Sequence, residues 1–117
     1  MYTVHMMLRR LTLAAICAPA LLQPAPSRAE PVAEIRVTYS NGQFQPGQVS
    51  APADKPIVIR VKNLDAKAME FESTSLRVEK VVAAKSEGVL NVRALKPGRY
   101  EFYDDFNDKA RGALTVQ

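Results

Sequence analysis

The segment from Leu95 to Val116 constrains the fold of this chain more than any other. Pro97-Gly98 is a tight-turn dipeptide, and Tyr100 and Phe102 then alternate with Glu101 and Tyr103, the period-two pattern of a strand leaving a corner. The acidic stretch Asp104-Asp105-Phe106-Asn107 follows. Beyond Lys109-Ala110-Arg111, Gly112 resets the backbone and Leu114 and Val116 resume the alternation. The pattern predicts two neighbouring strands with an acidic loop between their ends, and that loop is where chemistry would sit.

The rest of the chain carries the same signature. Glu34 to Ser40 alternates cleanly and is stopped by Asn41-Gly42; Phe44 follows, and Pro46-Gly47 turns the chain. Gln48-Val49-Ser50 reads as a short edge strand before Pro52. Ile57 to Asn63 is the clearest strand of the first half, with Ile57, Ile59 and Val61 on one face. Asn63 to Ala68 is a loop by composition. It delivers Met69 to Ser73, where Glu70 and Glu72 fall on one face of an extended segment and Met69 and Phe71 on the other. Leu76 to Ala83 is mostly strand-like, with Val78, Val81 and Val82 as core candidates and Glu79 between them. Ser86-Glu87-Gly88 turns into a further strand over Val89 to Leu95. About seven strands with closely spaced turn signals are the pattern of an all-β Greek-key sandwich, and Tyr100, just past Pro97-Gly98, suits the corner tyrosine of such folds.

The first 29 residues read differently. Arg9-Arg10 precede an apolar run from Leu11 to Leu22, and Ser27-Arg28-Ala29 offers small residues where a signal peptidase reads, so residues 1–29 are expected to be a secretory leader and 30–117 a single domain. The run is too short and too interrupted by Pro19 and Pro24 for a membrane span. The surroundings of the Arg pair fit twin-arginine export poorly, and Ile16 ahead of Cys17 suits lipid attachment poorly. Without the leader, thirteen basic residues face twelve acidic ones, a net charge of +1, so the basic character of the full chain implies no nucleic-acid partner. The leader also holds His5 and Cys17. Residues 30–117 therefore have no His, no Cys and one methionine, Met69, which leaves no disulfide and no type-1 copper site, since the latter needs thiolate and imidazole. Nucleophilic catalysis lacks a base near Ser73, Thr74 or Ser75, and there is no glycine-rich phosphate loop. Any activity would be metal oxidation or electron transfer.

The run Leu-x-Pro-Gly-x-Tyr-x-Phe-Tyr from Leu95, followed by a short loop and Gly-x-Leu-x-Val, resembles the C-terminal third of cupredoxins, whose loop here holds Cys, His and Met copper ligands. Asp104 stands where the Cys would be and Asn107 where a His would be, and no Met follows. Phe71-Glu72-Ser73, Leu76, Glu79-Lys80 and Tyr100 to Phe106 are similar to the EfeO-type cupredoxin-like domain of periplasmic iron-uptake systems. The resemblance implies a cupredoxin-like sandwich, export to the periplasm, and iron handling beside a periplasmic iron-binding protein and a membrane iron permease. It also implies that Glu70 and Glu72 meet Asp104, Asp105 and Asn107 at one end of the sandwich, with Glu79 a weaker candidate. Either Met69 or Glu70 occupies the place of the first His ligand.

Clustered carboxylates repel one another and call for a cation, and oxygen donors favour hard ions such as iron over soft cuprous copper. Set against this, Glu70 and Glu72 have the spacing of a solvated strand face with Lys62, Lys67 or Lys80 as partners. Asp104-Asp105 has that of an acidic turn capping its own backbone. The two functional expectations are a carboxylate site for iron or copper, and a metal-free module that docks on a periplasmic or membrane partner.

Overall fold

The computed structural model describes residues 12–24 and 31–117. Residues 12–24 carry neither helix nor strand, and their apolar side chains stand exposed, Leu22 at 96%. The remainder of the expected leader, including Ser27-Arg28-Ala29, lies outside the described residues. Among those described, no helix is long and apolar enough to cross a membrane.

Nine strands follow: β1 (Ala33–Ser40), β2 (Gln43–Gln45), β3 (Gln48–Ala51), β4 (Ile57–Asn63), β5 (Met69–Ser73), β6 (Val78–Val82), β7 (Glu87–Val92), β8 (Gly98–Asp104) and β9 (Asn107–Val116). They form a four-stranded sheet in the order β2-β1-β4-β7 and a five-stranded sheet in the order β3-β9-β8-β5-β6. β1 with β4 and β3 with β9 run parallel, and the other pairs are antiparallel. The count exceeds about seven because β2, which the sequence pattern leaves in the turn region after Asn41-Gly42, pairs with β1, and the expected edge segment at Gln48 pairs with β9.

Alternation places the core between the sheets. Ile35, Val37, Tyr39, Ile57, Ile59, Val61, Leu90 and Val92 point inward from one sheet; Met69, Phe71, Phe102, Leu114 and Val116 point inward from the other. Phe44, Phe71 and Phe102 form an aromatic cluster with ring centroids 4.9–6.0 Å apart. Such pairs contribute roughly 0.5–1.5 kcal/mol each beyond the area they bury. Val81, expected in the core, is 54% exposed: it shares the outer face of edge strand β6 with Glu79, while Val82 is buried. Tyr100 donates its hydroxyl to the Lys96 carbonyl at 2.8 Å, closing the corner ahead of β8.

Two turns set the end of the sandwich where the candidate residues gather. Asn41 and Gly42 join β1 to β2 with positive φ of 53° and 67°, the conformation that favours Asn-Gly in two-residue hairpins. Between β8 and β9 the expected acidic loop shrinks to Asp105-Phe106. β9 already begins at Asn107, and the register slips so that Asp104 pairs with Asn107 but Tyr103 pairs with Arg111. That bulge aims neighbouring residues to opposite sides of the sheet.

Candidate functional site

Asp104 ends β8 beside Phe71 of β5, on the inward face, and is 2% exposed. A buried carboxylate needs partners, and this one has three. Its Oδ2 accepts from the Tyr39 hydroxyl at 2.5 Å, while Oδ1 accepts the backbone N–H of Glu70 at 2.9 Å and of Phe106 at 3.0 Å. Tyr39 belongs to β1, so the bond joins the two sheets. Burial, and then the bond to Asp104, push the Tyr39 phenol up to about 12, while the Asn107 amide nearby opposes the rise. A hollow of about 350 Å³ at this pole is lined by Tyr39, Gly42, Asp65, Lys67, Ala68, Asp104, Phe106 and Asn107.

Asp65 fastens the adjacent loop. Its carboxylate accepts the backbone N–H groups of Asn41 at 2.7 Å and Gly42 at 3.0 Å, which hold it below the ordinary carboxylate range, with Lys85 adding to the effect. Asn63, fully buried, donates its amide to the carbonyls of Lys67, Val82 and Ala83 and accepts from the Asp65 N–H. The loop from Asn63 to Ala68 is thus held by polar side chains rather than by apolar packing.

The opposite, outward face of the same sheet carries the acidic cluster. Met69, Phe71 and Ser73 are buried and Glu70 and Glu72 face out, half-buried; Glu72 pairs in register with Glu79 of β6 and with Tyr103 of β8. Glu70, Glu72 and Glu79 each bring a carboxylate oxygen within 4.8 Å of the others. Oxygens bound to one ion lie no farther apart than about twice the metal–oxygen distance, roughly 4–5 Å, so the three can share one hard cation. Glu70 is pushed up by loss of solvent, then by the charges of Glu79, Asp105 and Asp104. Glu72 is pushed up by loss of solvent, then by Asp105, Glu79 and Glu70. Both carboxylates stand where their charge is disfavoured.

The seven candidate residues therefore fall in three places. Glu70, Glu72 and Glu79 come together on the outer face, with Asp105 close enough to act on Glu72. Asp104 and Asn107 belong to the pole beneath, and Met69, 0% exposed, lies in the core. Tyr39, Asn63 and Asp65 organise the pole and were not singled out in the sequence. No local signal marks them, because most of their partners lie many residues away in the chain.

Two sheets closed by a corner tyrosine, with a polar pole beneath the β8–β9 turn, define a cupredoxin-type sandwich. The model of the cupredoxin-like domain matches residues 11–116, and the chain belongs to that family. An uncharacterized protein of Rickettsia prowazekii (strain Madrid E) is 34% identical over 86 residues, covering 73% of this chain and 69% of that protein. The fold is shared with the metal-binding domain of the Cu(I)-exporting P-type ATPase CopA of Streptococcus pneumoniae. That likeness has a TM-score of 0.65 and 18% identity, and covers 78% of this chain and 91% of that one. Auracyanin A, a blue copper protein of Chloroflexus aurantiacus, gives a TM-score of 0.64 at 12% identity, covering 74% of this chain and 100% of that one. A thiolate–imidazole copper centre does not fit the residues present. The whole chain has one Cys and one His, Cys17 and His5, both ahead of β1, and both oxygens of Asp104 are already engaged.

Proposed function

We propose that this chain is an exported cupredoxin-like protein that binds a hard cation through carboxylates and serves iron handling in the periplasm. The observation that carries the reading is the convergence of Glu70, Glu72 and Glu79 within 4.8 Å on one sheet face, with Asp105 beside them. Three carboxylates held this close repel one another, and a cation removes the repulsion. An all-oxygen set suits ferrous or ferric iron; cupric copper is the other ion it would take, weakly without imidazole. Glu72 and Glu79 both fall in the stretches that resemble the EfeO-type domain, which supports iron and suggests a periplasmic iron-binding protein or a membrane iron permease as partner. The Arg-led apolar stretch at the N-terminus supports export.

The full-length protein, titrated with ferrous, ferric and cupric ions while its melting temperature is followed, tests the reading. An ion held by the native state at a hundred times its Kd stabilises by about 2.7 kcal/mol, which for a domain of this size raises Tm by roughly 10–20 °C. Glu72→Gln and Glu79→Gln should abolish the rise. No rise with any of the three ions, or a full rise in Glu72→Gln, would sink the proposal.

A second reading has its own observation. At the pole, both oxygens of Asp104 are engaged while the neighbouring Phe106 stands 57% exposed. A pole whose carboxylate is fully engaged and whose aromatic ring protrudes fits a docking module for a periplasmic or membrane partner. Phe106→Asp would then lose co-purification of that partner without a change in metal response.

A further inference from the structure

Along one row of the five-stranded sheet, Glu79, Glu72, Tyr103 and Arg111 succeed one another on β6, β5, β8 and β9, so the outer face changes sign at Tyr103. The next rows along β8 carry Glu101 opposite Ala113 and then Arg99 opposite Thr115. Arg99, Glu101 and Arg111 form the common floor of two adjoining open hollows of about 430 and 390 Å³. One extends to Thr74, Ser75 and Tyr103, and the other to Gly47 and Gln48.

The two guanidinium groups hold donors in reserve. Arg111 lies over the Tyr103 ring, 5.4 Å from its centroid, and donates only its Nε, to the Asp108 carbonyl at 3.1 Å. Arg99 approaches Glu101 no closer than 3.8 Å, beyond hydrogen-bond range. Among the described residues the terminal nitrogens of neither arginine are engaged by a protein acceptor.

We propose that this groove binds a small polycarboxylate, with Arg99 and Arg111 each holding one of its anionic ends. A guanidinium fork matches a carboxylate with two parallel hydrogen bonds, and stacking on Tyr103 already restrains Arg111. The two arginines stand four residues apart along the strand direction, about 14 Å at the backbone, a span their long side chains narrow. Glu101 lies on the floor between them. It repels a compact, uniformly charged ion such as phosphate, but accepts a hydrogen bond from a hydroxyl in the middle of a longer ligand. The Thr74 and Ser75 hydroxyls add further partners at one end. In a hydroxy-polycarboxylate of the citrate type the two end carboxylates meet the arginines, the hydroxyl meets Glu101, and the central carboxylate is left in solvent above the open groove, whether or not the neighbouring acidic cluster holds a cation.

Full-length protein freed of metal by dialysis, titrated calorimetrically at low ionic strength with citrate, acetate and inorganic phosphate, tests this. Citrate should bind at least tenfold more tightly than either of the others. Arg99→Gln and Arg111→Gln should each weaken citrate binding about tenfold or more, Glu101→Gln should strengthen it, and Lys62→Gln on the other sheet should leave it unchanged. Among the described residues the Arg99 side chain makes no hydrogen bond, so Arg99→Gln should keep the wild-type Tm even if Arg111→Gln does not. No binding of citrate at millimolar concentration, unchanged affinity in Arg99→Gln, or phosphate binding as tight as citrate would overturn the assignment. Because no metal is present, none of these outcomes bears on the cation titration.

Discussion

Asp104 shows how one residue's role depends on which donors surround it. An aspartate after Tyr100-Glu101-Phe102-Tyr103 has the look of a ligand. Here it receives a phenol and two backbone amides and ties β1, β5 and the β8–β9 turn together. Asp104→Ala strands the Tyr39 hydroxyl in the interior and two part-buried backbone N–H groups beside it, and chemical denaturation should register a loss of roughly 3–5 kcal/mol. Asp104→Asn should cost less, since one oxygen still serves both amides and the new N–H₂ donates to the Tyr39 oxygen. The phenol itself gives a pH signature. With its folded value near 12 and its ordinary value near 10, Tyr39 stays protonated in the native state after it has ionised in the unfolded chain. Its contribution is complete below about pH 10 and is lost as pH rises toward 12. Tyr39→Phe should remove that alkaline component, seen as the difference between the two proteins' stability–pH curves.

At the scale of strands, β8 and β9 are held close by Gly112. A Cβ there would stand 2.3 Å from the Phe102 ring and 2.9 Å from the Gly47 carbonyl, and the backbone oxygen has little room to retreat. Gly112→Ala should therefore cost about 1–3 kcal/mol, measured by thermal or chemical melts. The β5–β6 pair makes the opposite kind of prediction. Glu72 titrates above its ordinary range, so the stability linked to its protonated form is present at low pH and lost as pH rises through the folded value. Metal-free Glu72→Gln should accordingly melt higher than wild type at neutral pH, and the gap should close as pH falls below the carboxylate range. Which strands exist was largely legible from alternation. Their neighbours were not, so Val81, apolar in an apolar-rich strand, was expected inside although β6 is an edge with a solvated face.

For the molecule as a whole, the buried core among the described residues runs from Ile35 to Val116. A chain beginning at Glu30 should therefore melt within about 2 °C of the full-length protein in the same buffer, since residues 12–24 stand exposed. A larger drop would show that the N-terminal segment packs on the sandwich. The five-stranded sheet also separates two chemistries by its thickness alone, with neutral packing and the Tyr39–Asp104 bond inside and alternating acidic and basic fields outside.

The sequence by itself determined the all-β sandwich, the corner at Pro97-Gly98, the lack of Cys and His in residues 30–117, and the face shared by Glu70 and Glu72. Each of these is a local property of spacing or composition. Only the tertiary structure decided that Glu79 joins that face, that Asp104 turns inward to Tyr39 of the other sheet, and that Arg99 and Arg111 line one groove. Those facts depend on strand order and on the register slip at Asp104, and pairing between distant strands follows from the collapse of the whole core rather than from any one segment.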